Sequence, residues 1–109
     1  MHREKEADCF NRLRVLNRRK AVVRARARVI RYLEEVIQML SRKLEKEPSR
    51  EVQGYIRRLI SQLESNIAML EMANRKNSEE IEAEEQRWYE ECAEVVHYAL
   101  QKFVPERDR

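Results

Sequence analysis

Apolar residues recur three and four positions apart through the first part of the chain. Leu16, Val23, Ile30, Leu33, Ile37, Leu40 and Leu44 fall on one helical face at 100° per residue, flanked by Val15, Val22, Val29 and Val36. No Gly or Pro interrupts the run from Glu4 to Glu47. Arg42, Lys43 and Lys46 suit the negative end of a helix dipole, and Pro48 disfavours helical geometry at Glu47. The pattern predicts a first helix over about residues 4–46.

Ser49 is a fair N-cap for a second helix, whose stripe is Val52, Ile56, Leu59, Leu63, Ile67 and Leu70. Around Asn74–Glu79 this stripe fades, and Asn77 followed by Glu80 resembles a capping box. The pattern therefore predicts that the second helix covers residues 49–75 and a third covers 77–103. The third carries Ile81, Trp88, Cys92, Val95, Val96, Ala99 and Phe103 on one face, and Pro105 lies in a frayed tail at 104–109. Trp88 reads as a core anchor.

The expected fold class is all-α: a single domain over residues 1–109, forming an antiparallel helical bundle with a long first helix. Two architectures fit. Three helices of matched length could pack as a bundle, which would set the first and third parallel and place Glu79–Glu94 beside Val22–Ile37. Alternatively, Ser49–Phe103 is one continuous helix and the chain is a helical hairpin that dimerises to four helices. The matched lengths favour the first. Both leave apolar surface on the N-terminal half of the first helix.

Composition supports helices and narrows the function. The 109 residues include one Gly and two Pro, and 39% are charged, as in long amphipathic helices. Net charge is only +3, but its distribution is uneven. Asn11–Tyr32 holds nine cations and no acid, whereas Glu79–Glu94 is rich in glutamate. That asymmetry points to charge pairing within or between subunits before any outside partner. No apolar run approaches the ~20 residues that span a bilayer. Cys9 and Cys92 form neither a CxxC nor a metal spacing, and the expectation is two free thiols in a soluble protein of the reducing cytoplasm.

Arg12, Arg19 and Arg26 are seven apart, on the line that continues as Leu33 and Leu40. Arginines on that line must reach the rim or meet an anion. Either they pair with glutamates of this chain or of a dimer mate, or they line an anion-binding groove for an acidic helix, phosphate or nucleic acid. Arg14, Arg18, Lys20, Arg24, Arg28 and Arg31 would extend such a surface as a ladder able to follow a phosphate backbone. Tyr32 is the only aromatic among them, so base stacking is hardly provided for. Asn17, Asn66 and Glu85 interrupt apolar faces and are candidates for setting register. Met69 and Met72 lie off the stripe, as adaptable surface residues do. Glu94 and His97 have the i, i+3 spacing of bundle metal ligands but point away from the apolar stripe, so neither metal nor cofactor is expected.

Arg14, Arg31, Arg42 and the pair Arg50-Glu51 follow an order that resembles the small all-helical chorismate mutases. The resemblance implies an active site built from two arginines and a lysine on the first helix, an Arg-Glu pair opening the second, and a late Gln or Glu. Here Arg42 stands where that pattern has lysine, and Gln86 faces away from the core. The scattered Cys, Met and off-pattern polar residues are less idealised than those of engineered bundles. The reading that remains is not an enzyme but an interaction or assembly module, homo-oligomeric or bound to a helical protein partner. Nucleic-acid binding through Asn11–Tyr32 is the alternative.

Overall fold

The computed structural model describes residues 2–102, and for His2 the backbone alone. The described residues form two helices, α1 (His2–Lys46) and α2 (Arg50–Gln101), and no strands. Phe103 and the 104–109 tail lie outside the described residues.

The turn between the helices follows the chemistry of its three residues. Pro48 ends α1, and Glu47 N–H donates to the Leu44 carbonyl at 3.3 Å. Ser49 caps α2: its Oγ accepts from Val52 N–H at 3.3 Å and its carbonyl from Gln53 N–H at 2.9 Å. Gln53 Nε2 reaches back to the Glu47 carbonyl at 2.6 Å, so the connection's polar groups are largely satisfied.

The predicted break at Asn74–Glu79 does not occur, because α2 runs through it. No Gly or Pro enforces a stop there, and Ile67, Asn74, Ile81 and Trp88 keep a seven-residue spacing across the segment. Asn74 is engaged elsewhere: its Nδ2 donates to the Val23 carbonyl of α1 at 3.0 Å. The three-helix layout is therefore corrected to two long helices.

Two compact units divide the chain, Val22–Asn77 and Met1–Ala21 with Ser78–Arg109. In Val22–Asn77 the pair closes at the turn, and Ile30, Ile56 and Ile67 are its buried residues. In the other unit Cys9, Leu16, Ile81, Cys92 and Ala99 are buried, and none of the buried residues among those described is aromatic. Each unit is one antiparallel pair of helical segments joined along a single seam.

Gly54 lies inside α2, its φ is not positive, and a Cβ built there meets nothing within 4 Å. Gly54→Ala therefore relieves the entropic cost of glycine in a helix without a clash. It is expected to stabilise the chain by about 0.5–1 kcal/mol, measured as a raised denaturation midpoint.

Candidate interaction surface

Heptad lettering orders the seam. On α1, Leu16, Val23 and Ile30 occupy position a, and Arg19, Arg26 and Leu33 position d. On α2, Ile60, Ile67 and Asn74 are a, and Ile56, Leu63 and Leu70 are d.

In the unit formed by Met1–Ala21 and Ser78–Arg109, the seam arginines are paired. Arg12 Nη1 donates to Glu91 Oε2 at 2.7 Å, and Arg19 Nη2 to Glu80 Oε2 at 3.1 Å. Lys20 Nζ lies 3.0 Å from Glu85 Oε2. Residue numbers rise on one helix as they fall on the other, so the acidic stretch faces α1 antiparallel. It sits beside Arg12–Lys20, not beside Val22–Ile37 as the three-helix layout implied. These pairs are half-exposed, with side chains between 27% and 52% accessible, and such contacts stabilise by about 0–1 kcal/mol each. They neutralise a polar seam more than they hold it together.

Cys9 and Cys92 do that. Both are buried, their Cα atoms are 5.6 Å apart, and they form a disulfide across 83 residues. The expectation of two free thiols is overturned, and the argument for a reducing compartment goes with it. The signal was present: Cys9 precedes Leu16 by seven on the seam, and Cys92 lies on the α2 stripe. Only the supposed break concealed that an unbroken α2 returns to face it. Trp88 Nε1 donates to the Cys9 carbonyl at 2.9 Å, which fixes the indole beside the bridge. Arg12 Nη1 also lies 3.6 Å from Cys92 Sγ.

In Val22–Asn77 the third seam arginine has no acid. Arg26 Nη1 is buried without a hydrogen-bond partner, and so is Asn74 Oδ1. Arg26 is thus separated from Arg12 and Arg19, and Asn74 is the polar residue that occupies the seam. Of the residues expected to set register, Asn17 and Asn66 are exposed. Glu85 is half-exposed and pairs with Lys20 at the rim. Arg14 donates to Asn11 at 2.6 Å, and Arg18, Arg24, Arg28 and Arg31 are exposed without an ion pair among the described residues. Arg31, Arg42, Arg50 and Glu51, the residues on which the chorismate mutase resemblance rests with Arg14, are likewise exposed. His97 hydrogen-bonds Gln101 at 3.1 Å, and no cluster among the described residues could hold a metal ion. No described helix is long and apolar enough to cross a membrane.

A feature that sequence reading saw only on the first helix lies on the flanks of Val22–Asn77. An antiparallel pair has a two-fold axis perpendicular to its plane, so equivalent heptad positions of the two helices share a side. Lys20 and Glu85, both at e, meet in keeping with this. Positions g and c therefore make one side and e and b the other. On α1 between Val22 and Met39, g and c are Val22, Ala25, Val29, Tyr32, Val36 and Met39. On α2 between Val52 and Ala73 they are Val52, Tyr55, Leu59, Met69 and Ala73, broken only by Gln62 and Asn66. No charged residue interrupts this side between those bounds, and Lys43, Lys46 and Lys76 stand at its ends. The e and b side carries Arg24, Arg31, Glu34, Glu45, Arg57, Glu64, Glu71 and Arg75, and nothing apolar larger than Ala. Val22 and Val29 are 43% and 46% exposed, Tyr32 64% and Met69 68%. The pair thus has a second apolar face that nothing in the unit covers.

Comparison with family models, curated proteins and solved structures finds no match to this chain.

Two outcomes follow from this geometry. Removing the bridge by Cys92→Ser, or by reduction, is expected to lower the unfolding free energy by roughly 2–4 kcal/mol, the usual range for a long closed loop. Denaturant titration with and without a reductant measures this. Arg26→Leu extends the Leu33–Leu40 line and removes a charged group with an unpaired buried donor. It is expected to stabilise the chain by about 1 kcal/mol or more in the same titration, and a loss of stability would show that Arg26 has a partner.

Proposed function

We propose that the chain is an interaction and assembly module that docks a helical surface on the g and c side of Val22–Asn77. One observation carries this reading: an uncharged apolar face on two helices, accessible and repeating every seven residues. Isolated exposed apolar residues need no explanation, but a contiguous patch bounded by polar positions marks an interaction site. The repeat matches the spacing by which helices pack against helices, so the partner is helical. Docking thus uses the valines of the first helix, while Arg12, Arg19 and Lys20 are engaged within the chain.

A second reading rests on unpaired cations off that face. Arg24, Arg28, Arg31, Arg57, Arg58 and Arg75 are exposed without ion-pair partners among the described residues, although Glu34, Glu45, Glu64 and Glu71 share the e and b side with four of them. Val22–Asn77 as a whole holds twelve Lys and Arg against seven Glu. Such a surface can follow a phosphate backbone, and that use does not compete with docking on the apolar side.

Paired variants separate the two. Val22→Glu/Val29→Glu is expected to reduce binding of an apolar fluorescent dye or to change the association state, with helicity retained by circular dichroism. Arg24→Glu/Arg31→Glu is expected to leave both unchanged. If the valine variant binds dye, sediments and unfolds like the parent at every concentration, the face docks nothing and the reading fails. For the second reading, fluorescence anisotropy with labelled RNA and DNA at low salt is the measure. Binding that weakens steeply with salt and is lost in the arginine variant supports it, and no complex at low salt removes it.

A further inference from the structure

We infer that the helical surface received by this face is a second copy of the chain, the two Val22–Asn77 pairs closing into a four-helix arrangement. The inference rests on the docking reading above and names its partner.

The first argument is angular. Each g position directly precedes an a position, so the second stripe is turned from the seam by about 100°, the rotation of one residue. A helix at the corner of a four-helix square meets its two neighbours at about a right angle, whereas one in a three-helix bundle meets them at roughly 60°. The offset therefore suits a second pair of helices better than a lone third helix in the groove. Both α1 and α2 carry this pair of stripes, as every corner of a closed square requires.

The second argument is area. On the face, Val22, Val29, Tyr32, Met39, Val52, Tyr55 and Met69 are each between 38% and 68% exposed, and Ala25, Val36, Leu59 and Ala73 are half-buried. That is a patch on the scale of the ~800 Å² that each partner contributes to a standard interface.

The third is chemical self-complementarity. Gln62 and Asn66 are the only polar interruptions of the face, and both are amides. An amide both donates and accepts, so across a two-fold axis it can satisfy its own copy, where a carboxylate or ammonium would repel its copy. A buried amide in an otherwise apolar helical interface selects one register and one oligomer state. Charge on this face would argue for a partner of opposite sign, and the face has none between Val22 and Met39 or between Val52 and Ala73.

Sedimentation velocity on the intact, disulfide-bonded chain across micromolar concentrations tests the inference, with dye binding measured in parallel. The expected result is a concentration-dependent species of twice 13.3 kDa. Val22→Glu/Val29→Glu should raise its dissociation constant by about a hundredfold or more while helicity is retained. Asn66→Leu serves as a second variant that keeps the face apolar; it should tighten association and admit larger species, because the register constraint is gone. A parent chain that stays monomeric, yet binds dye that the valine variant does not, overturns the second copy and leaves the docking face standing. A monomer with no dye difference between parent and variant overturns both. A dimer that survives the valine double variant places the contact elsewhere and overturns the inference.

Discussion

Everything in this chain depends on the narrowness of the contact between two helices. A helix in a pair buries one stripe, and among the described residues the seam encloses no large side chain completely: the two with almost no accessible surface are cysteines. Larger folds bury a rising fraction of their surface, which is why small helical pairs need some other device. In the unit formed by Met1–Ala21 and Ser78–Arg109 that device is covalent. In Val22–Asn77 it is an apolar seam closed by a capped turn, with a second apolar face left over.

The two units solve the same problem with different residues. The seam of α1 changes from arginine at Arg12, Arg19 and Arg26 to leucine at Leu33 and Leu40. Where leucine occupies the line, burial supplies the cohesion at roughly 25 cal/mol per Å² of apolar surface. At Arg12 and Arg19 glutamates from α2 neutralise the charge, but half-exposed ion pairs offset little more than their own ordering cost, and Arg26 has no acid at all. The disulfide stands in that arginine-rich unit, which has the weakest claim to hold itself together. It acts mainly by restricting the unfolded chain, so its effect does not depend on the quality of the surrounding packing.

The helical character, the main seam and the end of α1 were legible because each rests on local chemistry: periodicity, Pro48, and Ser49 as a cap. The continuity of α2 was harder to read. Asn74, Asn77 and Ser78 are common cap and turn residues, and propensity cannot tell a cap from an asparagine whose amide reaches a carbonyl on another helix. That one ambiguity spread. A break at Asn74–Glu79 made α1 and the acidic stretch parallel, misplaced the partners of Arg12 and Arg19, and separated Cys9 from Cys92. With α2 unbroken, its second half runs antiparallel to the start of α1, where Cys92 meets Cys9. Arg26 could be placed on the seam from spacing alone, but its lack of an acid could not, because that depends on which α2 residue stands opposite.

The valines at 15, 22, 29 and 36 were visible in the sequence as a flank of the main stripe, and their meaning changes once α2 is known to lie against the stripe itself. On a helix surface facing water, β-branched residues are poor choices. They lose side-chain freedom against the preceding turn and cost roughly 0.5 kcal/mol each relative to alanine. Arg24, Arg28, Arg31, Glu34, Glu35, Arg42, Glu45 and Lys46, exposed elsewhere on α1, cost little. A helix that uses cheap formers on one exposed side and valine at every seventh residue on another is consistent with its fold only if the valine side is buried. Neither the seam with α2 nor the turn provides that burial. Local sequence preference and tertiary contact therefore disagree along one line of one helix, and the proposed docking on that line would reconcile them.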